Sequence, residues 1–287
     1  MKRYKDVAGD GGSNVVGQVA AQQERLRQRL AGVRSILAVV SGKGGVGKST
    51  LTAGLAGCFA AAGWRVGVLD ADLNGPTMAK MLGVRGRRLV MAGDAVEPPV
   101  SARGIKVMSM DLLLASDSTP LTWQAPTQEE AHTWRGSMEA QALREFLADT
   151  NWGGLDVLVI DLPPGTDRLA TVASLVPRLA GTIVVTISSD VSQLVVRKSI
   201  TVARQAQAPV LGLVENMAGL FPGPDAAVLA EEAGIPFLGS VPFDRALAAA
   251  TDRGDPFIVS HAGSEAARQL TAIATKIRAA ITHPASV

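Results

Sequence analysis

Apolar, β-branched runs recur along the chain at intervals filled by amphipathic, helix-length segments. The runs are "SILAVV" (35–40), "RVGVL" (65–69), "IKVMSM" (105–110), "DVLVI" (156–160), "GTIVVTI" (181–187), "PVLGLV" (209–214) and "PFLGSV" (236–241). Each is nearly continuous rather than alternating, which predicts strands covered on both faces. Helical patterns fall at 48–62, 136–149, 167–178, 190–207, 224–233 and 264–282. Strand, helix, strand repetition requires right-handed crossovers, so the expected fold is α/β, a doubly wound and mostly parallel sheet flanked by helices. From about Gln18 to Val33, Val19, Leu26, Leu30 and Val33 share one helical face among Arg25, Arg27 and Arg29. The expected organisation is therefore a mobile N-terminus with a short amphipathic helix over 1–34 and a single domain over 35–287.

Composition sharpens this picture in two places. The 287 residues are 47% hydrophobic but only 4% aromatic, which suits Ala, Val, Leu and Ile filling the space between helices and a parallel sheet. The one cysteine, Cys58, excludes an intramolecular disulfide and any zinc or iron site built from several thiolates of one chain. In "LTAGLAGCFA" it shares a helical face with Leu51, Leu55 and Phe59, the pattern of a packed structural thiol. The formal charge of +2 is too small to define a dedicated nucleic-acid binder. With no signal-type or membrane-spanning apolar stretch, the expected compartment is the cytoplasm.

The candidate chemistry lies in "SGKGGVGKST" (41–50), between the first strand and the first helix. Gly42 to Ser49 match G-x-x-x-x-G-K-[ST]. Gly42, Gly44, Gly45, Val46 and Gly47 would turn successive backbone N–H groups toward phosphate oxygens, Lys48 would add a full positive charge, and Ser49 a hydroxyl for Mg²⁺. Carboxylates at the ends of other strands complete the pattern: Asp161 after "DVLVI", Asp70 and Asp72 in "LDAD". Ligands bind at the carboxyl ends of parallel strands in this architecture. Lys43 is a second lysine that the phosphate pattern does not need; taken alone it is a solvated side chain or a cation supplied in trans to phosphoryl transfer.

"KGGVGKST", "VLDADLNGP", "GIKVMSM", "WRGSMEAQALREFLADTNWGGLDVLVIDLPPGT", "PVLGLVENM" and "VPFD" together resemble the Mrp/ApbC group of ATPases, within the wider class containing MinD, ParA and the nitrogenase iron protein. The resemblance runs from about Leu30 to the C-terminus. It implies binding and slow hydrolysis of Mg-ATP by a face-to-face homodimer in which Lys43 reaches the partner's nucleotide and Lys48 its own. It also implies that Asp72 orients the attacking water, that Asp161 contacts Mg²⁺ through water beside Ser49, and that Thr50 supports the phosphates. Asn216 is implied in adenine recognition, with the loop at Pro242 closing over the base; Asp70 is implied as a structural or switch carboxylate.

The sequence departs from that group where iron–sulfur carriers have a C-x-x-C pair. "VENMAGLFPGPDAAVLAEEAG" has none, so the expectation is that no cluster is held, any cluster role requiring ligands from a partner. In "PPGTDR", Asp167 and Arg168 replace the usual Gly-Asp, placing charge beside the expected dimer face or, for Asp167, simply favouring a helix start. An unidentified protein partner or cargo is expected. A positioning ATPase of ParA or MinD type is the alternative, with "GVRGRRL" (83–89) and Arg103 as a DNA-facing patch or a solvated loop, and Leu270, Ile273, Ile277 and Ile281 as a membrane-facing or a packed stripe. Packing and a solvated loop are the favoured readings there. The N-terminal helix would dock a cargo or cover the sheet edge. His132, Trp134 and Arg135 line a partner face or begin a helix.

Overall fold

The structure, a computed structural model, describes residues 15–114, 128–165, 167–176 and 178–283. Of the N-terminal residues 1–15 expected to be mobile, 1–14 lie outside the described residues, and His132, Trp134 and Arg135 belong to a helix whose side chains are described only from residue 136.

Seven parallel strands form one sheet: β1 (Ile36–Ser41), β2 (Val66–Asp70), β5 (Lys106–Met108), β6 (Val157–Asp161), β7 (Gly181–Thr186), β8 (Val210–Ala218) and β9 (Phe237–Pro242). Their order is β5-β2-β6-β1-β7-β8-β9. The chain leaves β1 toward one side for β2 and returns to β7 on the other, so the carboxyl end of β1 sits where the winding reverses. Alternate residues enter two separate cores. Leu37, Val39, Val68, Val159 and Ile183 face one layer and Ile36, Ala38, Val40, Leu158 and Ile160 the other. This two-sided burial explains why the strands read as continuous apolar runs.

The first layer contains α2 (Lys48–Ala61), the short α3 (Met78–Met81), α8 (Arg245–Arg253), α9 (Phe257–Ser260) and α10 (Glu265–Thr282). The second contains α1 (Val15–Leu30), α4 (Gln128–Asp149), α5 (Asp167–Leu175), α6 (Asp190–Gln205) and α7 (Ala226–Glu232). Helix α1 packs on α4 with Leu26 and Leu30 buried, while Val33 lies past the helix end and bridges to Leu155. On α10 the stripe of Leu270, Ile273 and Ile277 is fully covered, resting on β9 and α2. Among the described residues no helix is long and apolar enough to cross a membrane.

The structure departs from the periodicity reading in several places. An antiparallel hairpin, β3 (Val90–Ala92) with β4 (Ala95–Glu97), turns at Gly93 and Asp94. Helix α8, nine residues long and absent from the predicted helices, is fixed at its ends: Asp244 accepts from Ala246 N at 2.7 Å and Gly254 closes it at φ 73°. Strand β5 stops at Met108, two residues earlier than predicted, because the Ser109 hydroxyl donates inward to Asp70 Oδ2 at 3.1 Å, and a 3₁₀ turn, Met110–Leu112, follows.

Candidate nucleotide site

The turn between β1 and α2 is built to expose backbone amides. Gly45 and Gly47 adopt φ of 81° and 74°, a left-handed backbone open to glycine at little cost. Gly47 has a second reason to lack a side chain, since a Cβ there would lie 2.2 Å from Asn216 Nδ2. Helix α2 begins at Lys48 with no side-chain cap, so its first-turn N–H groups and the positive end of its dipole are left for a ligand. A cleft of about 250 Å³ opens over this turn, lined among others by Lys43, Gly44, Gly45, Gly47, Lys48, Ser49, Thr50 and Asp72.

Parallel register fixes the carboxylates. Val39 of β1 aligns with Asp161 of β6, which aligns in turn with Asp70 of β2, so both acids end their strands beside the turn. Asp161 is fully buried, as is nearly all of Lys48. Lys48 Nζ lies 2.7 Å from Asp161 Oδ2, and the Ser49 hydroxyl donates to the same oxygen at 2.6 Å. Asp161 Oδ1 accepts from the Thr52 hydroxyl at 2.6 Å. Thr52 is a site residue that motif reading misses; the only signal for it is its place one helical turn after Lys48, on the face turned toward β6.

Asp70 serves the neighbouring loop. Its Oδ2 accepts from Thr77 N at 2.8 Å, Met78 N at 2.9 Å and Ser109 Oγ at 3.1 Å, and its Oδ1 from Asp72 N at 3.2 Å. Burial, and secondly the charge of Asp161, push its carboxyl up to about 7, opposed by those donors. The loop it anchors presents Asp72, half-buried, with Oδ1 accepting from Gly75 N at 3.1 Å. Lys43 is half-exposed at the mouth of the cleft; its side chain takes no hydrogen bond or ion pair among the described residues.

The two residues implied at the base end do not line that cleft. Asn216, nearly buried at the end of β8, donates through Nδ2 to Val46 O at 2.9 Å and Gly47 O at 3.4 Å, so its amide braces the turn from outside. Pro242 ends β9 and aligns with Ala218. Both stand at the same carboxyl edge of the sheet as the turn, one and two strands beyond β7.

A dipole-exposing turn at the reversal point of a doubly wound sheet, with an acidic strand end holding the turn's lysine and hydroxyl, defines a P-loop nucleoside-triphosphate-binding protein. The family described as "ParA: NUBPL iron-transfer P-loop NTPase" matches residues 32–278, and the chain belongs to it. The chain is 41% identical over 272 residues to an iron-sulfur cluster carrier protein of Saccharolobus solfataricus, covering 91% of this chain and 88% of that one. It is 40% identical over 264 residues to the human cytosolic Fe-S cluster assembly factor NUBP2, covering 86% and 93%. Among solved structures, a nucleotide-binding protein from Archaeoglobus fulgidus in complex with ADP is similar at a TM-score of 0.67 and 36% identity, over 81% of this chain and 91% of that one.

Proposed function

We propose that the protein is a slow, Mg²⁺-dependent ATPase that works as a switch by forming a homodimer around ATP in the cytoplasm, and that it serves iron–sulfur protein maturation without holding a cluster itself. The observation that carries the switch is Lys43: a lysine whose side chain has no partner among the described residues, at the open mouth of a cleft that already holds Lys48. A cation supplied by a second chain would compensate charge developing on the transferred phosphoryl oxygens, the logic of a finger residue in trans. The names of the relatives support the maturation role and, for the human one, the compartment.

The donor set fits Mg²⁺. A serine hydroxyl and a carboxylate converge within 2.6 Å of each other at Ser49 and Asp161, hard oxygen groups of the kind that take this ion directly or through water. When bound with ATP the ion would neutralise charge on the phosphates. Lys48 Nζ, 2.7 Å from Asp161 Oδ2, balances that carboxylate, and a bound phosphate would compete for the same ammonium. Asp72, with Oδ2 uncommitted among the described residues, would orient the attacking water.

Cluster binding is argued against by the thiol itself. Cys58 is buried and its thiol is pushed up to about 11 by desolvation, only partly offset by contact with Thr271. A thiol that resists ionisation is a poor iron ligand, and a second chain would bring only one more. Iron and sulfide analysis after anaerobic reconstitution tests this, stoichiometric cluster on the isolated protein being the contrary result.

The switch is tested by light scattering after gel filtration, alongside phosphate release. Asp72→Ala is expected to hydrolyse slowly and accumulate dimer with Mg-ATP, and Lys43→Ala to bind nucleotide yet lose hydrolysis. Normal dimerisation and turnover in Lys43→Ala would refute the proposal.

A further inference from the structure

Arg168, the charge that distinguishes "PPGTDR", has a partner in the fold. Its Nη2 donates to Glu139 Oε2 on α4, and the other oxygen of the same carboxylate, Oε1, accepts from Asn74 Nδ2 at 2.9 Å. Glu139 is buried, its side chain only 7% exposed, so both oxygens are committed where water does not replace a lost donor. Asn74 lies two residues beyond Asp72. Arg168 lies two residues into the chain that follows the loop begun by Asp161, a loop pinned to the P-loop by Gly165 N donating to Ser41 O at 2.9 Å.

These contacts join loops from different strands. Asp70 fixes the two ends of the Asp72 loop through Asp72 N, Thr77 N and Met78 N, while its middle is attached to α4 through Asn74. Glu139 then connects that attachment to the start of α5. We infer that Asn74, Glu139 and Arg168 form a positioning latch that couples the Asp72 loop to the loop following Asp161, so that a change at one flank of the nucleotide cleft resets the other. The role in turnover rests on the ATPase reading given above; the coupling of the loops does not. None of the three residues is assigned a contact with nucleotide. A buried carboxylate deprived of its guanidinium is left uncompensated and must turn toward water, which withdraws Oε1 from Asn74.

The test combines turnover with backbone hydrogen exchange on the full chain. Arg168→Gln and Asn74→Ala should each lower kcat about tenfold while the dissociation constant for a fluorescent ADP analogue stays within about twofold. The double variant should lose no more than the worse single one, since both act through Glu139. Arg168→Lys, keeping the charge, should recover part of the rate. Exchange across 71–77 should rise in Arg168→Gln, a residue in the first turn of α5. Additive losses in the double variant, or unchanged exchange across 71–77 in Arg168→Gln, would overturn the latch. Should Arg168→Gln fail to fold, Asn74→Ala, at an exposed position, supplies the reciprocal readout: faster exchange from 167 to 176 supports the latch and unchanged exchange refutes it. A wild type that hydrolyses no ATP would defeat the ATPase reading, while exchange would still decide the coupling.

Discussion

Replacing Thr52 by valine isolates the hydroxyl that steadies the site. Thr52 is fully buried and its hydroxyl reaches Asp161 Oδ1 at 2.6 Å. Valine keeps the shape and the β-branch, so the change removes the bond to a buried carboxylate together with the hydroxyl's 3.0 Å contact with Lys48 O. Bonds to charged groups contribute about 1.5–3 kcal/mol, and here the acceptor has no water to turn to, which points to a loss of about 2 kcal/mol. Thr52→Ser is the control: it keeps the bond and removes one methyl, costing about 1 kcal/mol. Urea unfolding of the ligand-free protein, at a slope of about 3 kcal/mol per molar, should place the valine midpoint about 0.7 M below wild type and the serine midpoint about half as far. The order of the two variants decides the matter. If Thr52→Val unfolds at or above the urea concentration of Thr52→Ser, shape rather than the hydroxyl holds Asp161, and the account of the site is wrong.

Further outcomes follow from the same geometry. Gly47→Ala should abolish nucleotide binding and lower stability by about 2 kcal/mol or more, from the left-handed backbone and the collision with Asn216; adding Asn216→Ala should relieve the collision alone and recover part of the stability. A full recovery would mean that backbone strain contributes nothing. Because Asp70 titrates near 7 in the fold and near 3.8 when exposed, the native state binds more protons between those values, so stability should fall as pH rises from 5 to 7 and level off above. The fall from this group is about 3 kcal/mol, and comparison with Asp70→Asn by urea unfolding at pH 5, 6, 7 and 8 should show it absent from the variant. At pH 8 the Cys58 thiol, raised to about 11, is roughly one part in a thousand thiolate, so native iodoacetamide labelling should be at least about a hundredfold slower than labelling in urea. Equal rates would remove that argument against cluster ligation.

The sheet was readable from residues because two-sided burial leaves long β-branched runs, and the P-loop because its backbone conformation demands a fixed glycine spacing. Asp161 and Asp70 were readable as strand-terminal acids, but their different duties were not. One holds the lysine of its own cleft and the other anchors a loop, and that division depends on which donors the register brings to each oxygen. Thr52 lies outside every motif, and Glu139, inside a segment that carries the resemblance, had no role assigned to it. Each looks like an ordinary helical residue until the helix is set against the sheet, when Thr52 meets Asp161 and Glu139 meets Asn74 and Arg168. Arg168 shows the limit most clearly: sequence marked it as a departure beside the expected dimer face, and only the fold turns its guanidinium inward onto α4. Local pattern thus reports where backbone and burial dictate residue type, whereas pairwise choices between distant polar groups, such as Asn74 with Glu139 at a separation of 65 residues, become visible only in three dimensions.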